Sequence, residues 1–164
     1  MLTPKEILEL LTKENLNYTL YRHKAVFSAA DEANMPKING TVVKNLMLTN
    51  KQHELFLFTL PLHAKSNLKA LAKKIGSSRL NFAGADDLAV IGTPAGMVSP
   101  LSLLNDEGRQ VSFLVASELD SSAVINCHPL LNTMSIDITR TDLESLIIKN
   151  GHKINKISGV LLEN

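Results

Sequence analysis

The sequence contains no tryptophan and only 4% aromatic residues, so a platform that stacks several nucleic-acid bases is poorly supported. Cysteine is limited to Cys127. A lone thiol excludes an internal disulfide and a cysteine-rich zinc site, and it suits a reducing compartment, where its simplest role is that of a small buried hydrophobe. No apolar run reaches the roughly 18 residues of a membrane span. The N-terminal stretch already carries Lys5, Glu6 and Glu9, so neither a span nor a signal peptide is expected, and the cytoplasm is the expected location. A net charge of +1 and a pI near 7.9 give no global field that recommends nucleic acid, so any such binding must be local. Also missing are G-x-S-x-G, a Walker loop, G-x-G-x-x-G and H-E-x-x-H, the common hydrolase, nucleotide and zinc-protease signatures. His23, His53, His63, His128 and His152 are scattered without ligand spacing, so no metal and no cofactor is expected.

What is present fits one domain with its own core: 164 residues, 45% of them hydrophobic and 20% charged. Thr3-Pro4-Lys5-Glu6 combines a capping threonine, a proline at the first helical position and a glutamate three residues on. Ile7, Leu8, Leu10 and Leu11 then recur at helical spacing, which predicts a helix over residues 4–14. Residues 18–22 alternate as a half-buried strand, and Ser28 with Asp31 predicts a short capped helix that stops before Pro36. Residues 42–48 and the nearly all-apolar 54–60 predict a hairpin at the centre of a sheet. Ser66 is expected to cap a helix that buries Leu68, Leu71, Ala72 and Ile75 and stops at Gly76. Further strands are expected at 79–82, 110–115, 123–127 and 133–138, a helical turn or two at 86–90, and a last helix from Thr139 to about Asn150, stopped at Gly151. Helices and strands do not alternate strictly. The pattern therefore predicts an α+β single domain with a mixed, mainly antiparallel central sheet flanked by helices. Residues 152–164 read as a C-terminal extension whose Ile154, Ile157, Val160 and Leu161 suit an extra strand or an interface.

Lys44 stands out because it sits among apolar residues in a strand of the buried type. Withdrawing an ammonium from water costs several kcal/mol unless something pairs with it, so such a lysine has a partner, a ligand, or an escape route along its own stem to solvent. The turn His128-Pro129 between two strands can fix an imidazole at a sheet edge. Its ordinary alternative is a satisfied structural histidine. The segment from Gly96 to Pro100 is rich in turn formers yet nearly uncharged, with a glycine that lets backbone approach a ligand and a proline that stiffens the loop. Lys65, Lys69 and Lys73 share the outer face of the second helix, either as a solvated face or as an edge that contacts phosphates.

Taken in order, Val43-Lys44-Asn45-Leu46, Leu68-Lys69-Ala70-Leu71-Ala72, Gly96-x-x-x-Pro100, Leu103-Leu104-Asn105-Asp106 and His128-Pro129-Leu130-Leu131-Asn132-Thr133 follow the sequence of motifs in the YbaK / prolyl-tRNA synthetase editing-domain superfamily. The chain resembles that superfamily over residues 2–151, and within it the free-standing Ala-tRNA(Pro) deacylases. The resemblance implies a trans-editing enzyme that hydrolyses the ester between a wrong amino acid and the terminal adenosine of tRNA(Pro). It implies Lys44, His128 and Gly96 as the catalytic set, with Asn45, Ser99, Pro100 and Pro129 contacting the substrate. Phe27, Ala30 and Met35, on the segment that shapes the pocket in the family, are candidates for the wall that selects the amino acid, although each also serves as an ordinary core residue. Lys65, Lys69 and Lys73 are the candidates for the tRNA backbone. The implied partner is mischarged tRNA(Pro), with prolyl-tRNA synthetase or an elongation factor as further candidates and no membrane. Lys24-Ala25-Val26-Phe27 replaces a proline-containing run expected after His23, and Cys127 stands where an aromatic is expected. These departures leave open a Cys-tRNA(Pro) or other specificity. The competing class is a non-catalytic module that binds tRNA or a synthetase.

Overall fold

The first helix forms where its capping residues say it should. In α1 (Pro4–Lys13) the Thr3 hydroxyl accepts from the Glu6 N–H and the Glu6 carboxylate accepts from the Thr3 N–H, both at 3.2 Å. Its inward stripe places Ile7 and Leu11 fully inside the protein. In this computed structural model residues 1–26 and 29–163 are described; Phe27 and Ser28, the expected wall residue and cap, lie outside them. A 3-10 helix, Ala29–Asn34, follows directly.

The strands are β1 (Tyr18–Arg22), β2 (Thr41–Thr49), β3 (Leu55–Pro61), β4 (Asn81–Phe82), β5 (Val111–Ala116), β6 (Val124–Cys127), β7 (Met134–Thr139) and β8 (Ile154–Ile157). They form one sheet in the order β1-β7-β6-β2-β3-β5-β8, with β4 also on β2. The predicted hairpin is therefore its centre. Four pairings are antiparallel and three, β2 with β6, β3 with β5 and β5 with β8, are parallel, so the α+β expectation holds with the sheet evenly mixed.

Helices cover both faces, which explains the almost uninterrupted apolar sequence of β3. Leu55 and Leu57 pack with α1 and with α4 (Arg140–Lys149), while Phe56, Phe58 and Leu60 pack with Leu71 and Ala72 of α2 (Leu68–Ile75). Helix α2 starts one residue later than expected, with Asn67 as its cap accepting from the Ala70 N–H at 3.1 Å. Ser66 is instead held extended. The Asn67 N–H donates to Val160 O and the Leu162 N–H donates to Lys65 O, both at 2.7 Å, so the tail claims the chain just before the helix. That tail supplies the edge strand β8, and Val160 is fully buried in the α2-side core. Residues 101–104 continue a buried 3-10 helix, Pro100–Asn105, and α3 (Ala85–Leu88) is a single turn. After the 3-10 helix, Asp106 accepts from the N–H groups of Gln110 and Val111 at 3.0 and 2.8 Å and from His152 Nε2 at 2.9 Å. Among the described residues no helix is long and apolar enough to cross a membrane.

Candidate active site

The pairing of β2 decides where the cavity lies. On the side away from β3, strand β6 pairs only with Thr41 and Val42, and β4 pairs only with Leu48 and Thr49. Between them the edge of β2 is open among the described residues. A cavity of about 330 Å³ sits on this opening, with Val42, Val43, Lys44, Asn45 and Leu46 on one side and Gly96, Val98, Cys127 and His128 on the other.

Neighbouring residues of a strand point to opposite faces, so Lys44 and Asn45 enter the site differently. The Lys44 side chain leaves on the α2 face, in register with Leu60. Burial, and secondarily the nearby Lys65 charge, hold its pKa below the usual lysine value. The Asn45 side chain leaves on the other face, where its Oδ1 accepts from Thr59 Oγ1 at 2.6 Å. Its backbone is what faces the opening. Val42 O accepts from the Leu62 N–H at 3.0 Å, which sets even-numbered residues of β2 to bond β3, while Met47 O accepts from Ala83 N on the opposite side at 2.9 Å. Asn45 has the parity of Met47.

His128 stands just after β6. Burial first, then the charge of His23, push its pKa down to about 4, partly offset by a hydrogen bond to the Val98 backbone, so the ring is neutral at physiological pH. His23, just beyond β1, also lines the cavity. Its Nδ1 donates to Lys24 O at 2.8 Å. The segment is pinned by His23 N–H to Thr133 O and Val26 N–H to Asn132 O, both 3.0 Å. His23 was not singled out from sequence, because the only signal is its alignment beside the His128 turn through β1 and β7. Among the described residues His23 Nε2, His128 Nδ1, Asn132 Nδ2 and Ser135 Oγ are all buried without a protein partner, and all four belong to cavity residues. Buried polar groups left unpaired in one place mark a site shaped for a polar ligand.

Asn126 lines the same cavity and is fixed from behind: its Nδ2 donates to Asp137 Oδ1 at 2.9 Å. Asp137 Oδ2 accepts from Tyr21 Oη at 2.8 Å and from the Gly40 N–H at 3.1 Å. Gly40 is required there, since a Cβ would lie 2.5 Å from Asp137 Oδ1. Cys127 is buried, and burial drives its pKa up to about 12, so it is a protonated wall residue and not a nucleophile. Among the described residues no carboxylate lines the cavity, and no group of three His, Cys, Asp or Glu could hold a metal ion.

The structure thus gathers Lys44, Asn45, Gly96, His128 and Met35 around one cavity. Gly96 adopts φ 85°, the left-handed conformation that favours glycine. Ser99, Pro100 and Pro129 are placed behind the wall rather than on it. Ser99 is fully buried and caps the 3-10 helix by accepting from the Leu101 N–H at 3.2 Å, Pro100 opens that helix, and Pro129 is buried in the turn after His128. Their hydroxyl and rings are spent on holding the loops. Ala30 is exposed and outside the lining. Lys65, Lys69 and Lys73 are exposed, and Lys65 is close enough to be felt by Lys44.

The aminoacyl-tRNA editing domain family matches residues 23–146, a span that contains every one of these cavity residues. The chain belongs to that family. Similar proteins include the prolyl-tRNA editing protein ProX of Acetoanaerobium sticklandii, 31% identical over 157 residues, covering 92% of this chain and 94% of that one. Prolyl-tRNA synthetase associated domain-containing protein 1 of Danio rerio is 30% identical over 154 residues, covering 90% and 83%. A solved structure provisionally assigned as a trans-editing enzyme for prolyl tRNA synthetase superposes with a TM-score of 0.68 over the full length of both chains at 15% identity. A hypothetical protein of solved structure gives 0.70 at 16% identity, covering 95% of this chain and 99% of that one. These two likenesses establish the fold.

As an editing domain the chain is an aminoacyl-tRNA deacylase, and its cavity suits ester hydrolysis without a protein nucleophile. An ester with a ribose leaving group is already activated, so aligning water and placing donors near the developing oxyanion supply the acceleration. Lys44 and the open edge of β2 carry hydrogen-bond donors at this cavity, and the neutral His128 ring has one donor and one acceptor nitrogen.

Proposed function

We propose that this editing domain acts in trans on mischarged tRNA(Pro), releasing alanine from Ala-tRNA(Pro). The observation that carries the reading is the single cavity that joins the half-buried Lys44 ammonium to unpaired polar groups on His23, His128, Asn132 and Ser135. The two curated relatives, whose names speak of prolyl-tRNA editing and of prolyl-tRNA synthetase, support the tRNA. Apolar Val26, Met35, Leu62 and Met134 line the rest of the cavity and favour a small uncharged side chain. One methylene in such a pocket is worth about 1–3 kcal/mol, so proline is excluded mainly by bulk. Lys65, Lys69 and Lys73 meet the tRNA backbone, prolyl-tRNA synthetase or an elongation factor hands over the charged tRNA, and the reaction takes place in the cytoplasm.

The deciding experiment is single-turnover release from Ala-, Cys- and Ser-charged tRNA(Pro). Ala-tRNA(Pro) is expected to be cleaved fastest; faster release of cysteine changes the substrate, and tRNA binding with no release of any amino acid replaces the enzyme by a binding module. In the same assay Lys44→Ala is expected to slow release by roughly 100-fold or more, the scale of losing one transition-state donor. A matched thermal melt must be unchanged. A Lys44→Ala protein as fast as the parent refutes the site.

A further inference from the structure

Asn45 is a residue of β2 whose main chain faces the cavity and, among the described residues, has nothing paired to it. Its partner across β3, Thr59, is in the non-hydrogen-bonded register, so the Asn45 N–H and C=O both point away from β3. Pairing with β6 stops at Val42 and pairing with β4 starts at Leu48. The Asn45 side-chain oxygen already accepts from Thr59 Oγ1 at 2.6 Å. The Asn45 main chain offers a ligand one donor and one acceptor side by side on an open strand edge, the arrangement that captures an extended residue from another chain. An aminoacyl ester is such a residue. Its α-amino group and its carbonyl oxygen flank one Cα, as in a peptide strand.

We propose that Asn45 binds the aminoacyl group by main-chain pairing, as one residue of an antiparallel strand pairs with another; this rests on the deacylase reading above. The Asn45 N–H donates to the ester carbonyl oxygen, and the substrate's α-amino group donates to the Asn45 C=O. When water adds to the carbonyl carbon that oxygen becomes an oxyanion, and the N–H bond to it strengthens. The carbon–oxygen bond to the ribose then breaks, and the proton given up by the water ends on the ribose oxygen. Pairing of this kind reads only the groups that every α-amino acid shares. It aligns the ester without choosing the side chain, and leaves that choice to Val26, Met35 and Met134 on the wall. It also accounts for adjacent residues with opposed side chains serving one site: Lys44 acts through its ammonium and Asn45 through its backbone.

The test replaces Asn45 by its α-hydroxy counterpart, which keeps the side chain and turns one N–H into an ester oxygen. Single-turnover release from charged tRNA(Pro) is expected to fall on the order of 100-fold, the cost of losing one preorganised donor to an oxyanion. The same replacement at Leu48, whose N–H faces β3, is expected to lower thermal stability while leaving the rate of the folded protein unchanged. A second measurement needs no altered protein: tRNA(Pro) carrying propionate, which lacks the α-amino group, should be released at least tenfold more slowly than the alanyl ester after correction for spontaneous hydrolysis. Release within threefold of the parent in the altered protein, or equal release of the propionyl and alanyl esters, overturns the pairing. If the parent protein itself releases no amino acid from any charged tRNA, the deacylase reading falls and the pairing with it. A fully active parent beside an unimpaired Asn45 replacement removes the pairing alone.

Discussion

Acidification should destabilise the protein through His128 in a way that a single substitution can isolate. The ring's pKa in the folded chain is about 4, against an ordinary 6.5, because burial and the nearby His23 charge disfavour the imidazolium. A histidine with a depressed folded pKa binds fewer protons folded than unfolded between those two values. Its contribution is therefore intact above about pH 6.5, declines as pH falls, and is fully lost below about pH 4. The whole shift corresponds to about 3 kcal/mol, at roughly 1.4 kcal/mol for each pH unit. Because the ring is not wholly sealed from solvent, about 2 kcal/mol is the expected loss between pH 7.5 and 4.5. Urea unfolding of the parent and of His128→Gln at both pH values isolates this from the titration of other groups. The parent's advantage over the variant should shrink by that amount, roughly a 1 M change in the difference of midpoints for a denaturant slope near 2 kcal/mol/M. Midpoints that fall in parallel on acidification would refute the claim that the site holds His128 neutral.

Gly40→Ala would drive a methyl group to 2.5 Å from Asp137 Oδ1 and 3.1 Å from Val124 Cγ1, so it should cost about 1–3 kcal/mol in a urea melt and slow release by moving Asn126. An unchanged melt would show that Asp137 yields freely. Cys127, at a pKa of about 12 and buried, should react with a thiol reagent at pH 8 only as fast as the protein unfolds, and fast labelling of the native chain would contradict its placement. Binding of tRNA should weaken with added salt, and replacing Lys65, Lys69 and Lys73 together should flatten that slope by about three phosphate contacts; an affinity insensitive to salt would remove them from the interface.

Local signals carried much of the fold. The Thr3-Pro4-Glu6 cap, the all-apolar β3, the Gly76 terminator and the Thr139 cap each act within a few residues, and each element stands where its pattern places it. Ser66 shows the limit, since a cap one residue away won once the tail paired with the chain before the helix. In the site, Lys44 and His128 were legible because a cation in a buried strand and a histidine fixed by proline are locally anomalous. His23 was not, because nothing in its own neighbourhood is unusual.

The sequence by itself determined the hairpin around Lys44, the stiff loops at Gly96 and His128, and the order of motifs that ties the chain to editing domains. Tertiary structure decided what those residues present. The cavity exists because β6 parts from β2 after Val42 and β4 joins only at Leu48, a matter of long-range register that no local window contains. The same register turns the Asn45 backbone toward the cavity and its side chain to Thr59, and it sets Ser99 and Pro100 behind the wall as supports. Local sequence chooses φ and ψ residue by residue, whereas the direction in which a strand's N–H groups point depends on which strand lies beside it.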